Sequence, residues 1–122
     1  MHLSLVIPCF NEEKRLEKGL TYALTYLKSQ PYEWELVCVD DGSTDRTGHL
    51  IRLASQNNPI KLLTHKVNQG KGAAIRDGMM AAKGKYVLFS DIDFSTPLTE
   101  LPRFLSLLKD HDIVIGVRRH PQ

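Results

Sequence analysis

Acidic residues follow several apolar segments of this sequence, at positions where strands would end. They are, in chain order, Glu12, Asp40, Asp41, Asp91 and Asp93. At the exit of a strand the side chains of residues i and i+2 share a face, so Asp91 and Asp93 can reach one ion. Mg²⁺ typically binds through one or two carboxylates and leaves positions for phosphate oxygens, which predicts a metal-bridged phosphate ligand. The alternative is that one of the pair caps the following turn and the other is solvated.

The run Asp40-Asp41-Gly42-Ser43-Thr44-Asp45 also has a structural interpretation. Asp and Gly favour a turn, and Ser43 or Thr44 can cap the helix that follows. This interpretation leaves Asp40 without a hydrogen-bond donor at the end of an apolar strand. The imide of a pyrimidine or the hydroxyls of a ribose would supply that donor, so we predict that Asp40 contacts a ligand.

A glycine-rich loop, Gly70-Lys71-Gly72, precedes a helical segment and could hold a phosphate at the helix N-terminus. It lacks the Gly-x-x-x-x-Gly-Lys-Ser/Thr pattern of a P-loop. It also has Ile75 where a dinucleotide-binding fingerprint has Gly or Ala. The loop therefore disfavours both a Walker-type NTPase and a standard NAD site.

Apolar segments and helical periodicity alternate along the chain. The predicted strands are residues 3–7, 34–39, 60–64, 86–89 and 113–115. The predicted helices contain the apolar residues from Leu16 to Leu27, a segment closing near Asn57, Ala73 to Ala82, and Thr99 to Lys109. Strand segments without polar alternation are typical of burial on both faces, so we expect an α/β fold with an open, mainly parallel sheet and flanking helices. Ligands of such sheets bind at the carboxyl ends of the strands.

Composition and charge narrow the functional class. The 122 residues are 42% hydrophobic and 25% charged with a net charge of +2, as in an ordinary globular domain. The basic residues are scattered, so no nucleic-acid partner is indicated. We expect a single domain over residues 1–122, located in the cytoplasm, because no apolar run approaches a membrane span and no signal peptide is evident. Cys9 and Cys38 are predicted to be core thiols, and the five histidines to be surface or core residues.

Two other classes share this predicted architecture. A phospho-receiver domain has an acidic pair after its first strand and a lysine after its fifth, whereas here the pair follows the second strand and arginines follow the fifth. A metal-dependent nucleotidyltransferase would have a glycine-rich loop directly after the first strand, and the segment from Pro8 to Glu13 has none. The receiver domain and the nucleotidyltransferase are therefore kept as less favoured alternatives.

Four motifs carry a resemblance to a known family. They are Val6-Ile7-Pro8-Cys9-Phe10-Asn11-Glu12-Glu13, Val39-Asp40-Asp41-Gly42-Ser43-Thr44-Asp45, Asn68-Gln69-Gly70-Lys71-Gly72 and Ser90-Asp91-Ile92-Asp93. With all four in this order over residues 4–93, the chain resembles glycosyltransferase family 2, of the GT-A fold. Residues 70–79 and 91–97 look most like polyprenyl (dolichyl) phosphate sugar transferases, especially the dolichyl-phosphate β-glucosyltransferase type.

The resemblance implies a Rossmann-like, nucleotide-sugar-binding half of a GT-A fold. Its donor site would comprise Pro8, Phe10, Asn11, Glu12, Asp40, Asp41, Gly42, Ser43, Gly70, Lys71 and Asp91. In the family pattern the residues matching Pro8, Phe10 and Glu12 line the base and ribose. Asp40 or Asp41 would then read the base edge.

The resemblance also implies the catalytic residues, which are Asp91, Asp93 and Arg118. Asp91 and Asp93 match the family's Asp-x-Asp motif, which holds Mg²⁺ or Mn²⁺ on the donor diphosphate. Arg118 matches an arginine that meets donor or acceptor phosphate, although the usual Gly-Ser-Arg is Gly116-Val117-Arg118 here.

The implied activity is metal-dependent, inverting transfer of a hexose from UDP-glucose or GDP-mannose to an acceptor such as polyprenyl phosphate. Family members are much longer than this chain. We therefore expect the donor-binding half, with weak or no transfer by this polypeptide alone. Membrane association would depend on segments beyond it, and apolar surface left uncovered would favour self-association.

Overall fold

Residues 1–110, which the computed structural model describes, form a parallel sheet with helices packed against it. The strands are β1 (Leu3–Cys9), β2 (Trp34–Asp41), β3 (Ile60–His65) and β4 (Tyr86–Phe89). The helices are α1 (Glu13–Lys28), α2 (Thr47–Ser55), α3 (Lys71–Ala81) and α4 (Leu101–Leu108), the last preceded by a 3-10 turn, Leu98–Glu100. The strand order is β3-β2-β1-β4 and every pairing is parallel. This confirms the predicted α/β fold; the predicted strand 113–115 lies outside the described residues.

The first strand is longer than predicted, because Pro8 does not end it. The Val6 carbonyl accepts a hydrogen bond from Ser90 on the β4 side of the strand, at 3.0 Å. Pro8, two residues on, directs its nitrogen to the same side, past Phe89, the last residue of β4. A proline is tolerated where no ladder partner is present, so β1 continues to Cys9.

The second and third strands also extend beyond the predicted ends. Asp40 and Asp41 pair in register with Thr64 and His65, which places two carboxylates inside the sheet rather than after it. Helix α3 begins at Lys71, two residues before the predicted start. The carboxyl ends of β2 and β3 therefore carry polar side chains held by regular backbone pairing.

Both faces of the sheet are buried, as the apolar strand segments predicted. Leu5, Ile7 and Leu36 belong to the core beneath α1 and α2, and Val6 and Val37 to the core beneath α3. Each of these side chains is at most 2% exposed. Burial of apolar side chains such as these is the dominant favourable contribution to the free energy of folding.

Two cysteines lie in this interior. Cys9 and Cys38 are free and buried, which confirms the prediction of core thiols. Burial raises the pKa of the Cys38 thiol to about 12, so the thiol stays protonated and unreactive at neutral pH. Among the helices of residues 1–110, none combines the length and the apolar character needed to cross a bilayer.

Candidate functional site

A cleft opens at the carboxyl ends of the strands, between β1 and β4. The chain adds β2 and β3 on one side of β1 and then returns to its other side with β4, so the strand order reverses at β1. Ligands of open α/β sheets bind beside such a reversal. The cleft has a volume of about 510 Å³ and is lined by Pro8, Cys9, Phe10, Glu12, Arg15, Asp41, Asn68, Gly70, Lys71, Ala74, Asp91, Ile92 and Asp93.

Most of the residues proposed from sequence meet at this cleft. Those that line it are Pro8, Phe10, Glu12, Asp41, Gly70, Lys71, Asp91 and Asp93. The structure does not bring Asn11, Asp40, Gly42 or Ser43 to its wall. Arg118 lies outside the described residues, so its role stays a prediction. The wall also includes five residues that were not proposed, each within a few residues of a proposed one: Cys9, Arg15, Asn68, Ala74 and Ile92.

Three of the four residues outside the wall connect loops. The Asn11 amide donates to Ser43 Oγ at 2.9 Å, and Asn11 Oδ1 accepts from the Thr44 amide at 2.9 Å. Gly42 has φ +75°, and a Cβ there would lie 2.3 Å from the amide nitrogen of Asn68. These residues fix the relative positions of the loops after β1, β2 and β3. Direct contact of any of them with a nucleotide stays a prediction.

Asp40 already has a donor inside the protein. Its Oδ1 accepts a hydrogen bond from the Ser43 amide at 3.1 Å. Helix α2 packs so closely on it that a Cβ added to Gly48 would lie 2.5 Å from Asp40 Oδ2. The expectation that Asp40 lacks a donor unless a ligand supplies one is therefore wrong. Successive strand residues face opposite sides of the sheet, and of these two it is Asp41 that lines the cleft.

Asp45 caps the beginnings of two helices. Its carboxylate accepts from the Thr47 amide at 2.9 Å and from the Glu13 amide at 3.2 Å. The prediction that Ser43 or Thr44 caps α2 is therefore wrong. Burial alone would raise the pKa of the Asp45 carboxyl, but hydrogen bonds from Thr47 and Glu13 outweigh it and hold that pKa below its usual value.

Asp41 is a buried anchor of the loop after β3. Asp41 Oδ1 accepts from the Gln69 amide at 2.8 Å, and Oδ2 accepts from the Gly70 amide at 3.0 Å and from Asn68 Nδ2 at 3.1 Å. Burial would raise the pKa of this carboxyl, but hydrogen bonds from His65, Gln69 and Gly70 lower it overall. The charged form of Asp41 therefore shapes the glycine-rich loop at the start of α3.

His65 completes the surroundings of Asp41, although no sequence pattern separates it from the other four histidines. Its Nδ1 lies 2.8 Å from Asp41 Oδ1, and its Nε2 lies 2.8 Å from Asp77 Oδ2. These three residues come from β3, β2 and α3. No local spacing signals such a cluster, because only the packing of α3 on the sheet brings its members together.

The mouth of the cleft carries the acidic pair and a lysine. Lys71 Nζ lies 2.6 Å from Asp91 Oδ1, with the two side chains 59% and 48% exposed. Asp93 Oδ1 accepts from the Ser95 amide at 3.3 Å, which is the turn-capping role considered above as an alternative. Within residues 1–110 no group of three or more His, Cys, Asp or Glu side chains is arranged to hold a metal. Two carboxylates nevertheless suit Mg²⁺ or Mn²⁺ when phosphate and water supply the other ligands.

Helix α1 holds the turn that carries the acidic pair. A Cβ added to Gly19 would lie 2.3 Å from the carbonyl oxygen of Ile92, a buried residue between the two aspartates. Phe94 has φ +48° and its ring packs against Tyr22, with 5.1 Å between centroids. A buried phenylalanine in the left-handed region is strained, and such strain is found most often at functional sites.

Glu12 lines the cleft and forms an ion pair with Arg15. Arg15 Nη2 donates to Glu12 Oε1 at 2.9 Å. The same nitrogen lies 2.7 Å from Oε2, but that buried oxygen has no hydrogen bond of acceptable geometry. This ion pair fixes the Glu12 carboxylate at the wall of the cleft, and its contact with a ligand stays a prediction.

Comparison with known proteins shows which family this chain matches. Residues 4–122 match the family model described as "Glycosyl transferase family 2". A relative named dolichyl-phosphate beta-glucosyltransferase ALG5A, from Trichomonas vaginalis, is 42% identical over 130 aligned positions. That alignment covers 97% of this chain and 40% of the relative, so the chain spans about two fifths of that relative's length.

Solved structures show the same architecture. TarS 1-349 of S. aureus, in complex with UDP, matches with a TM-score of 0.71 and 26% identity, over 100% of this chain and 38% of that one. The mannosyltransferase PcManGT of Pyrobaculum calidifontis, in complex with GDP-Man and Mn²⁺, matches with a TM-score of 0.65 and 26% identity, over 75% of this chain and 27% of that one. These neighbours confirm the GT-A fold and favour a glycosyltransferase over a receiver domain or a nucleotidyltransferase. By its family match, its relatives and its fold, the chain belongs to glycosyl transferase family 2.

Proposed function

We propose that this chain is the donor-binding part of an enzyme that transfers a hexose from a nucleotide-diphosphate sugar to a polyprenyl phosphate such as dolichyl phosphate. The observation that carries the proposal is the cleft at the reversal of strand order, which is lined by Glu12, Asp41, Lys71, Asp91 and Asp93. The names of the relatives support the acceptor, and the UDP and GDP-Man complexes of the structural neighbours support a nucleotide-sugar donor in kind. The cytoplasmic face of a membrane, where such an acceptor would be met, stays a prediction.

The inner part of the cleft suits a nucleoside. Phe10 is 44% exposed and, with Pro8, forms an apolar wall on which a base can stack. Glu12, which also lines the cleft, carries a carboxylate, and a carboxylate accepts hydrogen bonds from ribose hydroxyls. The titration below distinguishes uracil from guanine as the donor base.

The outer part of the cleft suits a diphosphate. The N-terminus of α3 at Lys71 directs backbone N–H groups and the positive end of the helix dipole toward this side. The ammonium of Lys71 adds a full positive charge. Asp91 and Asp93, both exposed, are the residues that would hold Mg²⁺ or Mn²⁺ with phosphate oxygens as further ligands, and the ion would then replace Lys71 as the partner of Asp91.

The reaction breaks the bond between the anomeric carbon and the diphosphate oxygen and forms one between that carbon and a phosphate oxygen of the acceptor. When bound, the metal would supply Lewis-acid stabilisation of the negative charge that collects on the leaving diphosphate. Lys71 would stabilise the same charge electrostatically. The acceptor phosphate is already anionic near neutral pH, so positioning replaces a general base. Inversion at the anomeric carbon is the stereochemistry expected of a single displacement.

Calorimetric titration tests the proposal directly. The 122-residue chain is titrated with UDP, UDP-glucose and GDP-mannose, with and without Mn²⁺. We expect one of the nucleotide sugars to bind at least about tenfold more tightly with Mn²⁺, and Asp93→Ala to abolish that gain, because its carboxylate would hold the ion. Glu17→Ala, which removes an exposed carboxylate on α1, is the matched control. Equal affinities for the native chain and Asp93→Ala in the presence of Mn²⁺ would disprove the metal role.

Transfer itself is tested separately. We expect little or no transfer of labelled glucose from UDP-glucose to dolichyl phosphate by these 122 residues, since the relatives are more than twice as long. Robust transfer by this chain alone would contradict its assignment as only the donor-binding part. The same assay with an extended chain tests the acceptor.

A further inference from the structure

A histidine outside the wall of the cleft is linked to it by hydrogen bonds. The His65 ring lies between two carboxylates, 2.8 Å from Asp41 Oδ1 through Nδ1 and 2.8 Å from Asp77 Oδ2 through Nε2. The side chain of His65 is only 10% exposed, and that of Asp41 only 4%. The ring does not line the cleft, so it acts on a ligand only through Asp41.

The contacts require protons on both ring nitrogens. An ionised carboxylate only accepts hydrogen bonds, and a neutral imidazole has only one N–H to donate. With a carboxylate oxygen at 2.8 Å from each nitrogen, the ring satisfies both partners only as the imidazolium cation. Its charge also separates two acidic groups that would otherwise face each other across the ring.

Asp41 transmits this contact to the glycine-rich loop. Its Oδ1 accepts both from His65 and from the Gln69 amide, and its Oδ2 accepts from the Gly70 amide. Each oxygen therefore has two donors once Asn68 Nδ2 is included. If the ring lost one proton, one of the two carboxylates would face a ring nitrogen without a hydrogen, and the charge that holds Asp41 and Asp77 on either side of the ring would be lost; the Asp41 carboxylate would then be held by its loop donors alone.

The other charges near the ring do not replace it. From α3, Arg76 Nε donates to Asp77 Oδ1 at 3.2 Å, whereas the histidine contacts Oδ2. Helix α2 also packs on β3, but within residues 1–110 it provides no ion-pair partner for His65. The hydrogen bond from the ring to Asp41 raises the pKa of His65 above its usual value, and the hydrogen bond to Asp77 adds a smaller contribution in the same direction.

The geometry points to His65 as a positioning residue for the donor: its doubly protonated ring fixes Asp41 and thereby holds the Asn68–Gly70 loop in the shape that receives the nucleotide diphosphate. This inference rests on the proposed function. Donor affinity should be greatest while the ring is charged and should fall as the pH rises through the raised pKa of His65. The direction follows because only the protonated form satisfies both carboxylates.

Three variants of the full chain separate positioning from general stability. His65→Gln keeps one side-chain N–H donor but carries no charge, so UDP binding at pH 6 should weaken about tenfold and lose its pH dependence. Asp77→Asn retains an acceptor for Nε2 while removing a charge, so the midpoint of the pH dependence should shift down by about one unit. His49→Gln alters an exposed histidine on α2 and is the matched control.

The measurements are the affinity for UDP from about pH 5 to about pH 9 and the His65 pKa by NMR titration. A midpoint of UDP affinity that moves with the His65 pKa in Asp77→Asn supports the inference, because a purely structural role would change affinity without moving that midpoint. UDP binding by the native chain with no pH dependence, and with no change in His65→Gln, would overturn it and leave the proposed function intact. No binding of UDP or GDP by any variant, the native chain included, would overturn both.

Discussion

The carboxylates of the Asp40–Asp45 run differ in role because different backbone N–H groups face them. The Asp40 carboxylate accepts a hydrogen bond from the Ser43 amide, and the Asp45 carboxylate accepts from the amides of Thr47 and Glu13. The Asp41 carboxylate accepts from amides of the loop after β3. Only Asp41 also lines the cleft. A side chain's chemical type therefore limits its possible roles, and the backbone around it selects one.

Replacement of Asp45 tests its double capping role. Asp45→Ala leaves the first amides of α1 and α2 without their acceptor, so we expect the free energy of unfolding to fall by about 2 kcal/mol. Thr44→Ala, at an exposed neighbouring position whose side chain caps neither helix, should change it by less than about 0.5 kcal/mol. Urea unfolding followed by circular dichroism measures both. Similar losses in the two variants would show that Asp45 is not the cap.

At the scale of elements, α1 supports the acidic turn after β4. Gly19 lets the Ile92 carbonyl approach the helix, and the Tyr22 hydroxyl accepts a hydrogen bond from the Leu98 amide at 2.8 Å. Asp91 and Asp93 flank Ile92, at the start of the turn that these contacts hold. The geometry of the proposed metal ligands therefore depends on a helix that contributes no carboxylate to them.

Gly19→Ala tests that dependence. The added Cβ would lie 2.3 Å from a backbone oxygen, so we expect the turn to shift, with a loss of about 1–3 kcal/mol in stability and weaker Mn²⁺-dependent nucleotide binding. Gly72→Ala meets no atom within 4 Å and is the matched control for stability. Unfolding and calorimetry check the two effects. Unchanged Mn²⁺-dependent affinity in Gly19→Ala would show that the turn does not depend on α1.

A buried polar network at the opposite end of the sheet gives a contrasting prediction. Glu35 Oε2 accepts from Ser4 Oγ at 2.6 Å and from the Lys83 amide at 2.8 Å. Ser4→Ala removes one donor from this buried carboxylate and the acceptor of the Gly84 amide, so stability should fall by about 1–3 kcal/mol. Nucleotide affinity, measured by calorimetry well below the unfolding temperature, should not change. A parallel loss of affinity would mean that the two ends of the sheet are coupled.

For the whole molecule, the shifted pKa values set the pH range of greatest stability. Asp41 and Asp45 have lowered pKa values, so their contribution is full above the usual aspartate value of about 3.9 and is lost as pH falls through the lowered values. His65 has a raised pKa, so its contribution is full below about 6.5 and is lost as pH rises through the raised value.

Stability should therefore be greatest between about pH 4 and pH 6.5. Urea unfolding at a series of pH values measures it, and His65→Gln should remove the decline on the alkaline side. A native chain whose stability rises from pH 6.5 to pH 9 would contradict the assigned direction for His65.

The fold class, the family and most of the residues that line the cleft could be predicted from the amino-acid sequence. Apolar segments without alternation predicted a sheet buried on both faces. The polar residues that follow these segments predicted a ligand-binding site at one edge of the sheet, because the carboxyl ends of parallel strands lie at the same edge. The motif order predicted the family, and eight of the proposed donor-site and metal-site residues line one cleft. These are properties of short segments and of their order, which sequence carries directly.

Other features were decided only by tertiary packing. The choice of Asp41 over Asp40 as the residue facing the cleft depends on β2 continuing through both, and that continuation depends on pairing with β3. The capping of α1 by Asp45 and the contact of His65 with Asp77 join residues that no local spacing connects. A hydrogen bond depends on distance and direction between atoms, and for groups far apart in the chain those are fixed only when helices and strands pack together.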